Sequence, residues 1–389
     1  MPINRSTLWF TLFVLTIPFD LLNGFLVYNI PNSPFLIISP SQLIRLVGVL
    51  LILYFSYSNW ITYSISLVLL TIFIFSEYAA FLIHQNEKAL ISGLTSVPNL
   101  LAIYLAINIK LKKEDFYLIA SYSIAGALLI AILLCFSQIF SLGQSTYGSG
   151  GFGTKFYFAS GNGVGLYLGI SALLINMLSA KRIISTPVYT IPLLVFGLLM
   201  LASKAALVLA LINILIFALR YKASRILIPV IAASIFIFLD QIVPLFRILL
   251  EISIRRFEAA DGDMLRFLFS GRYEELLFHA EHFLHEHPIQ RIFFGGGYFF
   301  GPRTFTSVGR VDILEADIFD IFFIYGALGL AFYTFVWVSI FRSASLITGF
   351  WLVAILMFAH SAFLGHVFFN GMFIQLVFLF KILRVCKAL

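Results

Sequence analysis

Long apolar runs separated by short polar links fill most of this chain, and they limit it to one kind of fold. An apolar window places them near 7–28, 41–57, 60–84, 91–109, 116–140, 161–179, 187–202, 204–219, 226–246, 313–340, 345–364 and 366–383. Most approach the roughly 20 residues a helix needs to cross a bilayer. Backbone in hydrocarbon must satisfy its own N–H and C=O groups, so such segments fold as helices. Composition points the same way: 61% of the 389 residues are hydrophobic and 11% are charged, against about 25% charged in soluble proteins. A soluble enzyme and a disordered chain are both excluded. The reading is an all-α polytopic membrane protein of about twelve transmembrane helices. Residues 1–246 carry the first nine, 247–312 form a large external loop containing short amphipathic helices, and 313–389 carry the last three.

The start of the chain, Met1 to Tyr28, has no small-residue cleavage site and reads as a first span rather than a removable signal peptide. Cys135 and Cys386 are too few for a disulfide framework or a zinc site. The net charge of +7 does not call for a nucleic-acid partner, because in a membrane protein Lys and Arg set orientation. Arg5, Lys110, Lys112, Lys113, Lys181, Arg182, Arg220, Lys222, Arg225, Arg342, Lys381, Arg384 and Lys387 all fall on one side if the spans alternate. That side is expected to be cytoplasmic, with both termini on it.

The opposite side carries two unlike segments. Ser141 to Gly165 contains GQSTYGSGGFGTK and SGNGVG, but no G-x-x-x-x-G-K-[ST] spacing, so it reads as a flexible surface loop. Arg247 to Asp312 holds eight arginines and no lysine, among them Arg266, Arg272 and Arg291. Guanidinium forks grip phosphate and carboxylate oxygens at two points, whereas lysine acts as a point charge. An arginine-only loop beside a membrane therefore fits an anionic, phosphate-bearing ligand, although local acids such as Glu251 and Glu274 can pair with some of these side chains. YEELLFHAEHFLHEH, from Tyr273 to His287, reads as an amphipathic helix outside the bilayer. Its histidines lack metal-site spacing, and no metal is expected. GGGYFFGP at Gly295 to Pro302 reads as a mobile turn.

Ionisable residues at membrane depth are costly and tend to line cavities. Arg45, Lys88, Lys204, Asp240, Glu315, Asp317, Asp320, His360, His366 and Asn370 gather by alternation at the outer face. The acids at the mouth of the 313–340 span need cation partners, which the nearby arginines can supply.

Several of these motifs together resemble a known family. SGR at Ser270 to Arg272, a proline and Gly-rich turn, EADIFDIFFIYGALGL at Glu315 to Leu330, and GHV with a later asparagine at Gly365 to Asn370 resemble the bacterial O-antigen polymerase and ligase family, in its capsule and exopolysaccharide polymerase branch. LASKAAL around Lys204 is similar to that family's Ser-Arg-Gly segment. The resemblance covers about the last half of the chain, and the order of its elements carries more than any single motif. It implies a metal-independent glycosyltransferase of the membrane-embedded C-type (GT-C) class without cofactor. The donor would be a glycan on undecaprenyl pyrophosphate and the acceptor the terminal sugar of another lipid-linked repeat, on the outer face of the bacterial cytoplasmic membrane. A chain-length regulator and a flippase would be partners.

By that resemblance Arg272 and Lys204 bind the donor pyrophosphate, and Lys88 matches a basic residue after an early span. Arg45, Arg266, Asp317, His366 and Asn370 complete the expected substrate site. Ligases place a His-Asn pair where this chain has Glu315 and Ala316, so the resemblance does not supply the base. Chemistry asks for fixed cations against the leaving pyrophosphate and a carboxylate near the acceptor hydroxyl. Glu315 is the expected base, with Asp317 or His366 next. A ligase acting on lipid A core and a lipid-linked oligosaccharide transporter are the alternatives. A transporter should show two related halves, and the halves here differ.

Overall fold

The computed structural model describes residues 4–30, 39–56, 59–85, 87–146, 153–158, 160–220, 254, 257–258, 261–264, 272–285, 288–299, 314, 316–363, 365 and 367–388. Each expected span coincides with a helix except 226–246, which lies outside the described residues. In chain order the helices are α1 (Arg5–Asn29), α2 (Pro40–Ser56), α3 (Trp60–His84), α4 (Glu87–Asn108) and α5 (Lys113–Phe140). A two-stranded antiparallel hairpin follows, β1 (Gln144–Ser145) with β2 (Thr154–Phe156). Then come α6 (Gly161–Ala180), α7 (Thr190–Leu201), α8 (Lys204–Arg220), α9 (Arg272–His285) and α10 (Pro288–Phe294), and finally α11 (Asp317–Ala344), α12 (Phe350–Phe363) and α13 (Phe373–Ala388). Among the described residues, α1, α3, α4, α5, α6 and α11 contain stretches long and apolar enough to cross a membrane, and α2, α7, α8 and α12 are shorter apolar helices.

The chain forms two compact units. One comprises residues 1–126, 157–159 and 274–389, the other 127–156 and 160–273. In the first, α4 is central and packs against α2, α3, α11 and α13. Lipid tails are as apolar as leucine, so helices in a bilayer are held by close packing and buried polar contacts rather than by the hydrophobic effect. Helix α13 illustrates this. Its Gln375 side chain donates to the Leu12 carbonyl and, at 3.0 Å, to Thr16 Oγ1, beside the π turn at Thr11–Leu15 of α1. A π turn leaves the regular ladder short of partners, and Gln375 makes up part of the difference. One helical turn and a half later, Lys381 Nζ donates to the carbonyls of Ala106 at 2.9 Å and Ile107 at 2.6 Å. It thereby caps the C-terminal end of α4.

In the second unit α6, α7 and α8 pack against one another. Ser160 caps α6 by accepting from Gly163 N at 3.2 Å. Small residues allow close crossing: a Cβ on Gly169 would run into Leu209, and one on Gly197 into Ala131. Asn213 Nδ2 reaches the Gly169 carbonyl at 3.2 Å, tying α8 to α6. The chain reverses between α7 and α8 in two residues, with Ala202 left-handed at φ 54°. The Gly-rich segment before α6, expected to be a flexible loop, is paired as the β1–β2 hairpin on both sides of 147–152, which lie outside the described residues.

The structure corrects two sequence expectations in the first unit. The last span begins at Phe373 rather than 366, because residues 367–372 form a turn whose polar groups are already engaged. Asn370 Oδ1 accepts from Met372 N at 3.0 Å, an arrangement that ends the turn and starts the helix. The glycine run after α10 is also no mobile turn. Gly297–Phe299 is a 3-10 turn packed on α3, α4 and α11, with Gly296, Gly297 and Tyr298 buried.

Candidate functional site

One end of the first unit collects several buried polar side chains, and two irregular turns organise it. The first is Gly295–Phe299. Helix α11 has a break at Gly326, whose φ of 63° and ψ of −152° are open to glycine only. At that break the backbones touch directly. A Cβ on Gly326 would fall 2.5 Å from the Phe293 carbonyl carbon, and one on Gly295 would overlap the Ile324 carbonyl. Gly296 N then donates to Phe323 O at 2.7 Å. This crossing drives the next residue but one, Tyr298, into the interior.

Tyr298 meets Glu77 there. Glu77 lies in the C-terminal third of α3 and is 2% exposed. Its Oε2 accepts from Tyr298 N at 3.1 Å. Gly93 of α4 is what lets the carboxylate fit, since a Cβ at that position would occupy the same space. Tyr325 of α11 shares the pocket, its hydroxyl 3.2 Å from Ser96 Oγ. Burial pushes the Tyr298 phenol well above its ordinary range, and the carboxylates of Glu77, Asp320 and Asp317 add to that. It therefore remains a proton donor throughout the physiological range.

The second turn, 367–372, is held by Asp317. This residue is 0% exposed. Its Oδ2 accepts from Ser361 Oγ at 2.6 Å, Val367 N at 2.8 Å and Phe368 N at 3.0 Å. Ser361 in turn lies 3.2 Å from the Tyr333 hydroxyl. One helical turn on, Asp320 accepts from Leu314 N at 2.9 Å and Ala316 N at 3.1 Å, closing the N-terminus of α11. Asp317, expected to touch substrate, is buried and holds the 367–372 turn. Asp317 and Asp320 thus bind backbone N–H groups and a hydroxyl. Carboxylates at a helix N-terminus are favoured by the dipole as well.

Arg45 and Asn370 come to the same turn. Arg45 donates to Asp20 Oδ1 at 3.0 Å, and Ser41 Oγ donates to the same oxygen at 2.5 Å. The guanidinium lies against Gly371, where a Cβ would overlap its Nε. Tyr298 and Phe369 stack edge to face, with centroids 5.9 Å apart, so the two turns are in contact. Lys88 stands in the first turn of α4, in the same unit. Lys204 and Arg272, the first residues of α8 and α9, belong to the second unit. Glu315, Arg266 and His366 lie outside the described residues.

Sequence reasoning missed Glu77, Tyr298, Tyr325 and Ser361. A signal for Glu77 was there: an acid inside the apolar run FIFSEYAA is costly at membrane depth and marks a buried partner. Tyr298 gave none, because aromatic residues are common throughout this chain. Among the described residues no group of three or more His, Cys, Asp and Glu side chains gathers as a metal site.

Apolar helices closing over a polar end define the class: an all-α, membrane-embedded protein. No protein-family profile, curated protein or solved structure matches the chain.

Proposed function

We propose that the chain is a polysaccharide polymerase of the bacterial cytoplasmic membrane. It spans the bilayer about twelve times in a GT-C arrangement, with both termini cytoplasmic and the polar end of the first unit facing outward. The observation that best supports this reading is the meeting of Arg45, Asp317 and Asn370 at the 367–372 turn, on top of a helical unit with apolar flanks. A polar site there suits a substrate whose glycan is in water and whose carrier is in lipid.

In the proposed step, a sugar hydroxyl of one lipid-linked repeat attacks the anomeric carbon of another glycan. The new glycosidic bond forms as the bond to the pyrophosphate oxygen breaks, and undecaprenyl pyrophosphate leaves with the electron pair. Glu315 takes the hydroxyl proton, and fixed cations hold the departing pyrophosphate. No metal is needed when fixed cations stabilise the developing charge.

Deleting the gene and analysing surface glycan tests the whole reading. Loss of polymer, with single repeats remaining, is the expected result, and an unchanged glycan refutes it. Glu315→Gln tests the base. Polymer yield near that of the parent, at equal expression, would remove Glu315 from the mechanism.

A further inference from the structure

The C-terminal ends of α11 and α13 meet in the first unit, far along both helices from the turns described above, and they bring positive charges together. Helix α13 is buried from Phe373 to Leu383, and Arg384 is the first of its residues to reach the surface. There it lies over the last turns of α11: its Nε donates to Ser343 Oγ at 2.8 Å and its Nη2 to Ser339 O at 3.2 Å. Those two partners flank Arg342 in the chain, so the Arg342 and Arg384 guanidinium groups stand within electrostatic reach and repel one another. Lys381 adds a third positive charge that Arg384 feels, and its bonds to the Ala106 and Ile107 carbonyls hold it in place.

No carboxylate answers this charge among the described residues, whose ion pairs are Arg5 with Asp115 and Arg45 with Asp20. Arg384 Nη1 and the exposed Arg342 guanidinium have no protein acceptor among those residues either. Like charges held side by side disfavour one another, and an anion seated on both removes that cost. The neighbouring surface says what kind of anion. On α11, Phe335 and Val338 are 40% and 41% exposed and share a helical face with Arg342. That face turns from apolar to cationic within one helical turn, about 5.4 Å, which matches the depth of the interfacial layer between hydrocarbon and headgroups. The notch behind it, lined by Ile107, Ser339, Ser343, Lys381 and Arg384, has a volume of about 10 Å³, room for one water molecule. A ligand therefore rests on the arginines and along the apolar face. A soluble anion gains nothing from that face, whereas a lipid does.

We infer that the paired ends of α11 and α13 form a headgroup site for an anionic phospholipid, whose phosphodiester bridges Arg342 and Arg384 and whose acyl chain lies along Val338 and Phe335. Guanidinium forks suit phosphate oxygens, and basic pockets between spanning helices commonly take phospholipid headgroups. The site follows from the membrane-embedded class alone and does not depend on the glycan-transfer reading, because binding is measured without turnover.

The test uses the full chain purified in mild detergent, with bound lipid read by native mass spectrometry after adding phosphatidylglycerol or, as a control with the same phosphodiester and no net charge, phosphatidylcholine. Phosphatidylglycerol should be retained about tenfold better. Arg342→Gln breaks no contact within the protein and should weaken its retention about fivefold. Combining it with Arg384→Gln should weaken retention about thirtyfold, at about 1 kcal/mol per charge, with thermal unfolding of both variants confirming the fold. Lys181→Gln removes one exposed charge from the other unit and should leave retention unchanged. A loss with Lys181→Gln as large as with Arg342→Gln would mean attraction by net charge alone and overturns the inference. So do parent-like retention in the double variant, equal retention of phosphatidylcholine, and displacement of the lipid by inorganic phosphate at the lipid's own concentration, which would make this a site for free anions.

Discussion

The two ends of the first unit both bury charge, and they use it for different work. At the basic end, Asp115 is 0% exposed. It pairs with Arg5, takes the Trp9 indole N–H at 2.9 Å and accepts from Lys112 N at 2.7 Å. Lys381 covers the carbonyls at the end of α4, and Arg384 donates to Ser343 Oγ at 2.8 Å at the end of α11. These charges finish regular helices. At the other end, Glu77, Asp317 and Asp320 hold the N–H groups of irregular backbone at 298, 367–368, 314 and 316. Irregular backbone at membrane depth survives only where it is buried in protein or lines a cavity, and each of these turns needs an acceptor that no helix supplies. Charge closes the structure at one end. At the other it maintains turns that a purely apolar bundle would not hold, which is the property expected of a site.

Substitutions can break this comparison, and the largest effect is expected at the backbone crossing. Gly326→Ala would combine left-handed strain with overlap at Phe293, costing about 3 kcal/mol or more. Thermal unfolding in detergent should show a large loss of folded protein, and a parent-like midpoint would mean the crossing is not needed.

Next is Asp317→Ala, which strands one hydroxyl and two backbone N–H groups, about 3 kcal/mol at roughly 1 kcal/mol each. Asp317→Asn keeps one acceptor oxygen and should cost less. If the turn is a site, polymer made per folded molecule should still fall in the Asn variant.

Glu77→Ala leaves Tyr298 N without its acceptor, for about 1–3 kcal/mol, while Glu77→Gln preserves that bond and should fold nearly normally. The Gln variant separates scaffolding from chemistry: full polymer yield would restrict Glu77 to holding the turn.

At the basic end, Lys381→Met should lower stability by only about 1 kcal/mol, the net worth of a helix-capping hydrogen bond. Its polymer yield per folded molecule should match the parent. A selective loss of yield there would erase the distinction between the ends. The smallest effect belongs to Arg45 and Asp20, whose side chains are 20% and 10% exposed. A double-mutant cycle on stability should give a coupling of about 1 kcal/mol or less, and a much larger value would mark the pair as structural.

Helix positions were legible in the sequence because the bilayer leaves an apolar run little choice of structure. Helix ends were less so. Hydropathy carries Val367 to Met372 straight into the final span, and only the Asp317 side chain, 50 residues earlier in the chain, draws the N–H groups of that stretch away. Among candidate residues, Arg45 and Asn370 stood out in the sequence because a polar group in an apolar setting is conspicuous. Tyr298 was not, since its importance comes from the glycine crossing that buries it.

By itself, then, the sequence determined the solvent and the helical class, since these depend on the transfer cost of each residue and on backbone hydrogen bonding. The tertiary structure decided which polar residues meet. Carboxylates far apart in the chain gain their N–H partners only when Gly93, Gly295 and Gly326 allow backbones and side chains to approach within van der Waals contact. Contact at that range is a property of packing, which no hydropathy pattern encodes.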